Sequence, residues 1–449
     1  MPGLIGPPQE FPMPTRRDFL KTSAAAGLAV SASAKSYAAI LGANDRVNFA
    51  IVGLNGRGGA HLSAINANKD SANITHICDV ESTILDKFAA KCQKLGYSPT
   101  LDKDFRKMLE AKDIDAISIA TPDHLHTTIA IAGLKAGKNV YVEKPPSYDP
   151  REGELLVAAA NKYSNLKVQV GSQQRSSPHS IEIIDKIHNG LIGKPYWAQA
   201  WYINNRKPIG HGKPAPVPAT LDWDLFQGPA PRREYTDNIQ PYNWHWFKGL
   251  GTGEALNNGT HEVDVARWIM QVDFPHTVSA TGGRYFYQDD WQFPDTMMTT
   301  YEYPGKMISW ESRSCNALKL YDRERGVATM GDNGSVILDR DGYDVFDASG
   351  KKVNSFSVRA TRTSSSDTVG ADSMTNAHFL NFINAIRRGE ALRTPAETGR
   401  ISVTLVQLSN IAYFTQRNLK LNATGHIIND PEALAMTHRT YAPGWEIKI

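Results

Sequence analysis

The stretch that most restricts the fold runs from Val47-Asn48-Phe49-Ala50-Ile51-Val52 into Gly53-Leu54-Asn55-Gly56-Arg57-Gly58-Gly59. A short apolar run that breaks into glycines reads as a buried strand turning tightly into a helix N-terminus. There, backbone N–H groups and the positive end of the helix dipole can approach a pyrophosphate. Gly53 and Gly58 match the first and third glycines of the dinucleotide template, and Asn55 stands at the second. Asn tolerates left-handed backbone angles, so the turn survives with a less open approach. A glycine motif alone would also suit other α/β folds. Asp79 adds context by closing the next apolar run, about twenty residues on, where a carboxylate accepts from the adenosine ribose hydroxyls. The same charge repels a 2′-phosphate, which favours NAD over NADP.

Further short apolar runs lie at Asn73–Cys78, Ala116–Ala120, Asn139–Val142 and Val168–Val170. Helical patterns separate them at Ser82–Leu95, His124–Ala136 and Arg151–Lys162. Such alternation predicts an α/β fold whose N-terminal part is a doubly wound parallel (Rossmann) sheet. After Gly171 the pattern changes. A helix over Ser180–Asn189 leads to a strand over Tyr196–Ile203, then a proline-rich loop from Lys207 to about Arg233. A Gly/Asn-rich helix start at Gly249–Thr260 runs into Val263–Met270, and strands follow at Thr277–Tyr287, Thr296–Tyr303, Met307–Ser312, Gly326–Met330 and Ser335–Leu338. Turn signals at Asp332–Ser335 and Asp347–Gly350 are of the hairpin kind. Val358–Asp372 is Ser/Thr-rich, and helices over Met374–Arg388 and Thr398–Arg417 close the chain. The expected organisation is an export signal and linker over 1–42, a Rossmann domain over 43–171, and over 172–449 an α/β domain with an open, mostly antiparallel sheet.

The formal charge of +3 is spread without a basic block beyond pairs such as Arg232-Arg233, which argues against a nucleic-acid partner. Cys78, Cys92 and Cys315 give neither a disulfide framework nor a CxxC motif. Near the N-terminus, Thr15-Arg16-Arg17-Asp18-Phe19-Leu20-Lys21 precedes an alanine-rich run over Ser23–Ala34 and small residues at Ala38-Ala39. That is the layout of a twin-arginine export signal, with an apolar run too short for a stable membrane span. It predicts a periplasmic protein.

Two loops follow the third and fourth expected strands: Thr121-Pro122-Asp123-His124-Leu125-His126, and Glu143-Lys144-Pro145-Pro146. Both sit at carboxyl ends of parallel strands, where open sheets bind ligands. Asp123, His124 and His126 lack a further cluster at zinc-like spacing, so capping by Asp123 and packing or exposure of the histidines are the expectation, with no metal. His261-Glu262 also fails the HExxH pattern, because Val265 takes the second histidine's place.

Together with Gly251-Thr252-Gly253-Glu254-Ala255-Leu256-Asn257-Asn258-Gly259-Thr260-His261, these motifs resemble the glucose–fructose oxidoreductase / inositol dehydrogenase / rhizopine-catabolism (Gfo/Idh/MocA) family. The resemblance covers roughly 46–445. It implies hydride transfer at a carbohydrate or cyclitol carbon and a homo-oligomer formed through the C-terminal sheet. It also implies that Lys144 contacts the reacting hydroxyl and that His261 is the base or proton shuttle. Four residues before that histidine the family usually has aspartate; here it is Asn257, which can hydrogen-bond but supplies no charge, so Glu254 or Asp264 becomes a possible substitute. Gln173-Gln174-Arg175 matches the segment lining the nicotinamide end. Expected cofactor contacts are Gly53, Asn55, Gly56, Arg57, Gly58, Asp79, Thr121, Pro122, His126, Glu143, Lys144 and Gln173.

For the substrate, aromatic faces suit sugar C–H patches and amides suit hydroxyls. Trp201, Tyr202, Asn204, Arg206, Tyr242, Asn243, Trp244, His245 and Trp246 form such a set. Arg175, Trp201, Asn204, Tyr242, Trp244, His245 and His261 are the expected contacts, against core packing as the alternative for each tryptophan. Export of a nicotinamide enzyme to a compartment without an evident free NAD supply requires a tightly held, recycled cofactor. Either a sugar or polyol oxidoreductase or an NAD-dependent glycosidase meets that condition; a non-catalytic sugar-binding protein is the third possibility.

Overall fold

The computed structural model describes residues 46–358 and 372–449; the export-signal stretch and most of Val358–Asp372 lie outside them. Six strands form a first sheet: β1 (Val47–Val52), β2 (Ala72–Cys78), β3 (Thr100–Asp102), β4 (Ala116–Ile119), β5 (Asn139–Val142) and β6 (Val168–Val170). Their order is β3-β2-β1-β4-β5-β6 and every pairing is parallel. Along β1, Val47, Phe49 and Ile51 enter one core, while Ala50 and Val52 enter the core on the opposite face. This is the two-residue period of a strand buried on both sides. Only β3 lacked an apolar signal, since its Leu101 is exposed at the sheet edge.

The helices Gly56–Ala67 and Ser82–Lys94 cover the first of these faces, through Leu62 and Ile65 and through Leu85 and Phe88. The helices His126–Lys135 and Pro150–Lys162 cover the other. Strand order reverses between β1 and β4, so the switch point sits at the glycine turn. The helix Ser373–Arg388, from far along the chain, returns to the first face. Its Phe379 stacks on Tyr141 of β5 at 4.1 Å, and both Phe379 and Phe382 tilt against Phe49.

The second sheet is built from β7 (Pro195–Ile203), β8 (Thr277–Gly283), β9 (Thr296–Tyr303), β10 (Lys306–Arg313), β11 (Arg325–Gly331), β12 (Gly334–Leu338), β13 (Gly342–Asp347), β14 (Lys352–Ser357) and β15 (Leu419–Lys420). The order is β14-β13-β12-β11-β7-β10-β9-β8-β15, antiparallel except for β7 beside β10. Both expected hairpin turns join neighbouring strands, β11 to β12 and β13 to β14. Ala198 and Ala200 of β7 face a core shared with the helices Pro178–His188, Thr260–Met270 and Ala396–Thr415. Trp201 and Ile203 face the other way. Residues 47–449 form one compact unit holding both sheets.

Candidate active site

A cavity of about 560 Å³ opens where the first sheet's carboxyl ends meet the helix Thr260–Met270. One end is made largely of backbone. Gly53 sits at φ +85°, and a Cβ there would lie 2.6 Å from the Ala120 and Thr121 main chain. A Cβ on Gly58 would lie 2.3 Å from the Gly53 carbonyl oxygen. Only glycine lets strand, turn and helix close this tightly. Asn55 is the N-cap of the Gly56–Ala67 helix but makes no side-chain cap bond, and no acidic residue occupies the first turn. Its leading N–H groups therefore remain available to an anion beside Gly53, Asn55, Gly56 and Arg57 of the lining. Gly58 itself stands behind the lining as a packing glycine.

Asp79 also lines this end. Its Oδ2 accepts from the Leu54 N–H at 2.8 Å and its Oδ1 from the Glu81 N–H at 3.0 Å. Burial raises its pKa, and the two backbone donors oppose that rise. The donors hold the carboxylate in place with lone pairs left for ribose hydroxyls. The turn, the uncapped helix and this acceptor fit a dinucleotide.

Thr121, Pro122, His126, Glu143 and Lys144 line the middle. The ring nitrogens of His126 lie 2.7 and 2.8 Å from the Pro145 and Thr121 carbonyl oxygens, tying the loop after β4 to the loop after β5. His124 is buried and tied in the same manner to Leu250 and Phe226. The packing expectation for the histidines holds. The capping expectation for Asp123 does not: its buried carboxylate accepts from the Thr252 hydroxyl and faces the cavity. Among the described residues no cluster is suited to a metal.

Glu143 is an anchor. Its Oε1 accepts from Arg57 Nε at 2.8 Å and Gln173 Nε2 at 2.9 Å, and lies 3.0 Å from His61 Nε2. Burial pushes the carboxyl up, but the Arg57 charge and the hydrogen bonds win and hold it well below the usual carboxylate range. Gln173 thus stands one layer behind the cavity. Lys144, the next residue, donates from Nζ to the Asn257 carbonyl. That carbonyl belongs to a π turn, Ala255–Gly259, which opens the start of the Thr260–Met270 helix. Burial lowers Lys144 to about 8, against the raising pull of Glu143 and Asp123.

His261 enters the same end of the cavity from that helix. Burial, then Arg340, Lys144 and Arg325, lower its pKa, so the ring is a neutral acceptor. Neither sequence candidate for a compensating carboxylate faces it. Glu254 is buried and pairs with Arg206, and it also accepts from Asn258 Nδ2 at 2.5 Å. Asp264 is buried and pairs with Arg175 at 2.8 Å and with the Ser402 hydroxyl at 2.6 Å. The Asn257 amide donates to the Tyr242 hydroxyl at 3.3 Å and to Glu254 at 3.4 Å.

Tyr242, Trp244 and His245 form an aromatic wall of the cavity, with His245 stacked 3.6 Å from Trp244. Three expected contacts lie elsewhere. Trp201 is fully buried and bonds the Arg323 carbonyl, because strand alternation turns it to the face of β7 away from Ala198 and Ala200. Arg175 is committed to Asp264 and lies over Trp268. Asn204 donates to the Tyr202 hydroxyl. Conversely, Arg325 and Arg340 line the cavity without having been expected there. They come from the start of β11 and the turn between β12 and β13, and no motif marks either.

Residues 47–172 match the oxidoreductase family's NAD-binding Rossmann fold, residues 181–337 match the Gfo/Idh/MocA C-terminal domain, and residues 13–33 match the twin-arginine translocation signal. An inositol 2-dehydrogenase/D-chiro-inositol 3-dehydrogenase of Lactiplantibacillus plantarum is 24% identical over 35% of this chain and 44% of its own length. A glycosyl hydrolase family 109 protein of Saccharopolyspora erythraea is 27% identical over 43% and 47% respectively. The chain thus spans less than half the length of these curated relatives. A solved levoglucosan dehydrogenase, in complex with NADH and levoglucosan, superposes with a TM-score of 0.65 at 19% identity, covering 84% of this chain and 99% of that one.

Proposed function

Because this chain belongs to the Gfo/Idh/MocA family of NAD-binding oxidoreductases, we propose that it oxidises a secondary hydroxyl of a sugar or cyclitol and retains its cofactor between turnovers. One observation carries the reading: Lys144, after β5, and His261, from the helix beside the second sheet, meet at the same end of the cavity that begins at the glycine turn. Bound NAD supplies the hydride acceptor. The Lys144 ammonium, held by the Asn257 carbonyl, stabilises negative charge developing on the hydroxyl oxygen. Neutral His261 has no hydrogen-bond partner among the described residues and accepts the hydroxyl proton. Tyr242, Trp244 and His245 offer aromatic faces to sugar C–H groups.

A second reading, hydrolysis without net redox, is supported by the family 109 relative and by the export signal. A ring hydroxyl gives up its hydride and proton, and the neighbouring C–H, now acidic, loses its proton. The C1 substituent leaves with that proton, water adds, and the hydride returns. The discriminating measurement uses purified protein with its own bound NAD and no added cofactor. Net oxidation consumes one equivalent of sugar and stops until a carbonyl acceptor is supplied; hydrolysis releases chromophore from a nitrophenyl glycoside over many turnovers. If neither occurs with any sugar, the oxidoreductase reading fails.

We further assign the protein to the periplasm, as a homo-oligomer through the second sheet. The twin-arginine signal supports the first, and the wholly exposed edge strand β14 supports the second. Fractionation of cells carrying Arg16→Lys with Arg17→Lys, and light scattering of the mature protein, check these. Unchanged periplasmic yield or a monomer would refute the corresponding assignment.

A further inference from the structure

Among the described residues, the cations at the cavity's hydroxyl end have carboxylate partners with one exception. Arg57 pairs with Glu143, Arg206 with Glu254, and Arg325 with Glu262 at 2.7 Å. Lys144 faces Asp123 and Glu143. Arg340 differs. It lines the cavity at 7% exposure, and among the described residues its Nε has no hydrogen-bond partner. The Glu262 and Asp372 carboxylates raise its pKa without an ion pair to either. Glu262 already holds Arg325, and Asp372 caps the Ser373–Arg388 helix through the Met374 N–H and the Thr375 hydroxyl. The neighbouring Asp339 pairs with Arg323 at 2.6 Å. Burial, then Arg325, pull Arg340 down to about 9. A buried guanidinium without a hydrogen-bonded carboxylate is costly, and it persists where a ligand completes it.

We propose that the substrate is an acid-bearing sugar or polyol whose carboxylate docks on Arg340, beside the carbon that Lys144 and His261 serve. This rests on the oxidoreductase reading and narrows its substrate class. A planar carboxylate matches the guanidinium fork in two parallel hydrogen bonds and gives it the direct ion pair it does not make within the described residues. Arg340 lines the same cavity as His261 and Lys144, and its charge lowers the His261 pKa. Neutralising Arg340 there also returns basicity to His261 on binding, which couples recognition of the acid group to proton acceptance.

The test uses NAD-loaded protein and matched pairs: D-glucose with D-glucuronate, D-galactose with D-galacturonate, plus glucose 6-phosphate. Binding is followed by calorimetry and hydride transfer by the absorbance of reduced nicotinamide. In at least one pair the uronate should be favoured by about tenfold or more, the worth of a charged hydrogen bond. Arg340→Gln should abolish that preference, Arg340→Lys should keep part of it, and bound NAD should be unchanged in both. The wild-type comparison stands alone if the variants fail to fold. Equal or better use of neutral sugars overturns the proposal while leaving the oxidoreductase reading intact. Preference for the phosphate ester over both uronates overturns the carboxylate assignment. Loss of NAD from Arg340→Gln with no change in sugar preference would assign Arg340 to the cofactor instead. If neither member of any pair binds or reacts, the reading and the proposal fall together.

Discussion

The two ends of the cavity are built by different means. At the glycine turn the lining is largely main chain with the Asp79 and Glu81 carboxylates, contributed mostly by β1, β2 and the loops that directly follow them. At the hydroxyl end it is side chains from the loop after β5, the Thr260–Met270 helix, the start of β11 and the β12–β13 turn. Backbone geometry at the first end follows from a local rule about glycine and a strand end. Charge balance at the second end depends on which distant groups happen to face one another. The first end should therefore be sensitive to shape and the second to charge.

The largest expected effect breaks the second end. Lys144→Ala or His261→Ala should lower turnover by about 10²- to 10⁴-fold, the usual worth of a positioned acid or base. Bound NAD, measured by its release on denaturation, should stay nearly intact, because neither residue reaches the glycine turn. With Lys144 near 8, it loses its proton as pH rises through that value. Oxidation should then slow above about pH 8 in the wild type, and the descending limb should vanish in Lys144→Ala. A limb that ascends instead would make Lys144 the proton acceptor.

Gly53→Ala attacks the other end by shape. A Cβ at φ +85° and 2.6 Å from main chain forces the turn open. Strain of this kind costs about 1–3 kcal/mol, so thermal stability should fall and NAD should be lost on purification. Normal NAD content in this variant would show that the turn does not hold the pyrophosphate.

Asp79→Ala should have a smaller effect. Loss of the ribose acceptor should weaken NAD about tenfold, near 1.4 kcal/mol, and narrow the preference over NADP. Titration of both cofactors into apoprotein measures it, and a wild type that prefers NADP tenfold would contradict the assignment. The smallest effect is expected for Asn257→Asp. A carboxylate there meets Glu254 across the 3.4 Å that the amide now bridges, so like-charge repulsion opposes its ionisation. The pH profile should move upward by less than about one unit. A larger shift would mean that the new carboxylate turns to His261.

Much of the first sheet was legible because its strands other than β3 are largely buried on both faces and several are followed by a turn that names its role. The edge strand β3 was not, since Leu101 meets solvent. Cavity-lining positions at or just beyond strand ends, such as Thr121, His126 and Lys144, were legible for the same reason. Trp201 was not: one step along β7 exchanges the faces of the sheet, and aromatic composition cannot say which face holds the ligand. Arg175 failed similarly, since its partner Asp264 lies on a helix distant in sequence.

By itself, the sequence determined the parallel sheet, the dinucleotide end and the export signal, all of which rest on short motifs, and it brought Lys144 and His261 forward only through a family resemblance. Only the tertiary structure decided what surrounds that pair. Lys144 meets the carbonyl of Asn257 across 113 residues, Arg325 meets Glu262 across 63, and the Arg340 Nε meets no partner among the described residues. Strand and turn signals act over a few bonds. A buried charge is balanced or unbalanced by whatever the completed fold places within a few ångströms of it, and no local pattern records that.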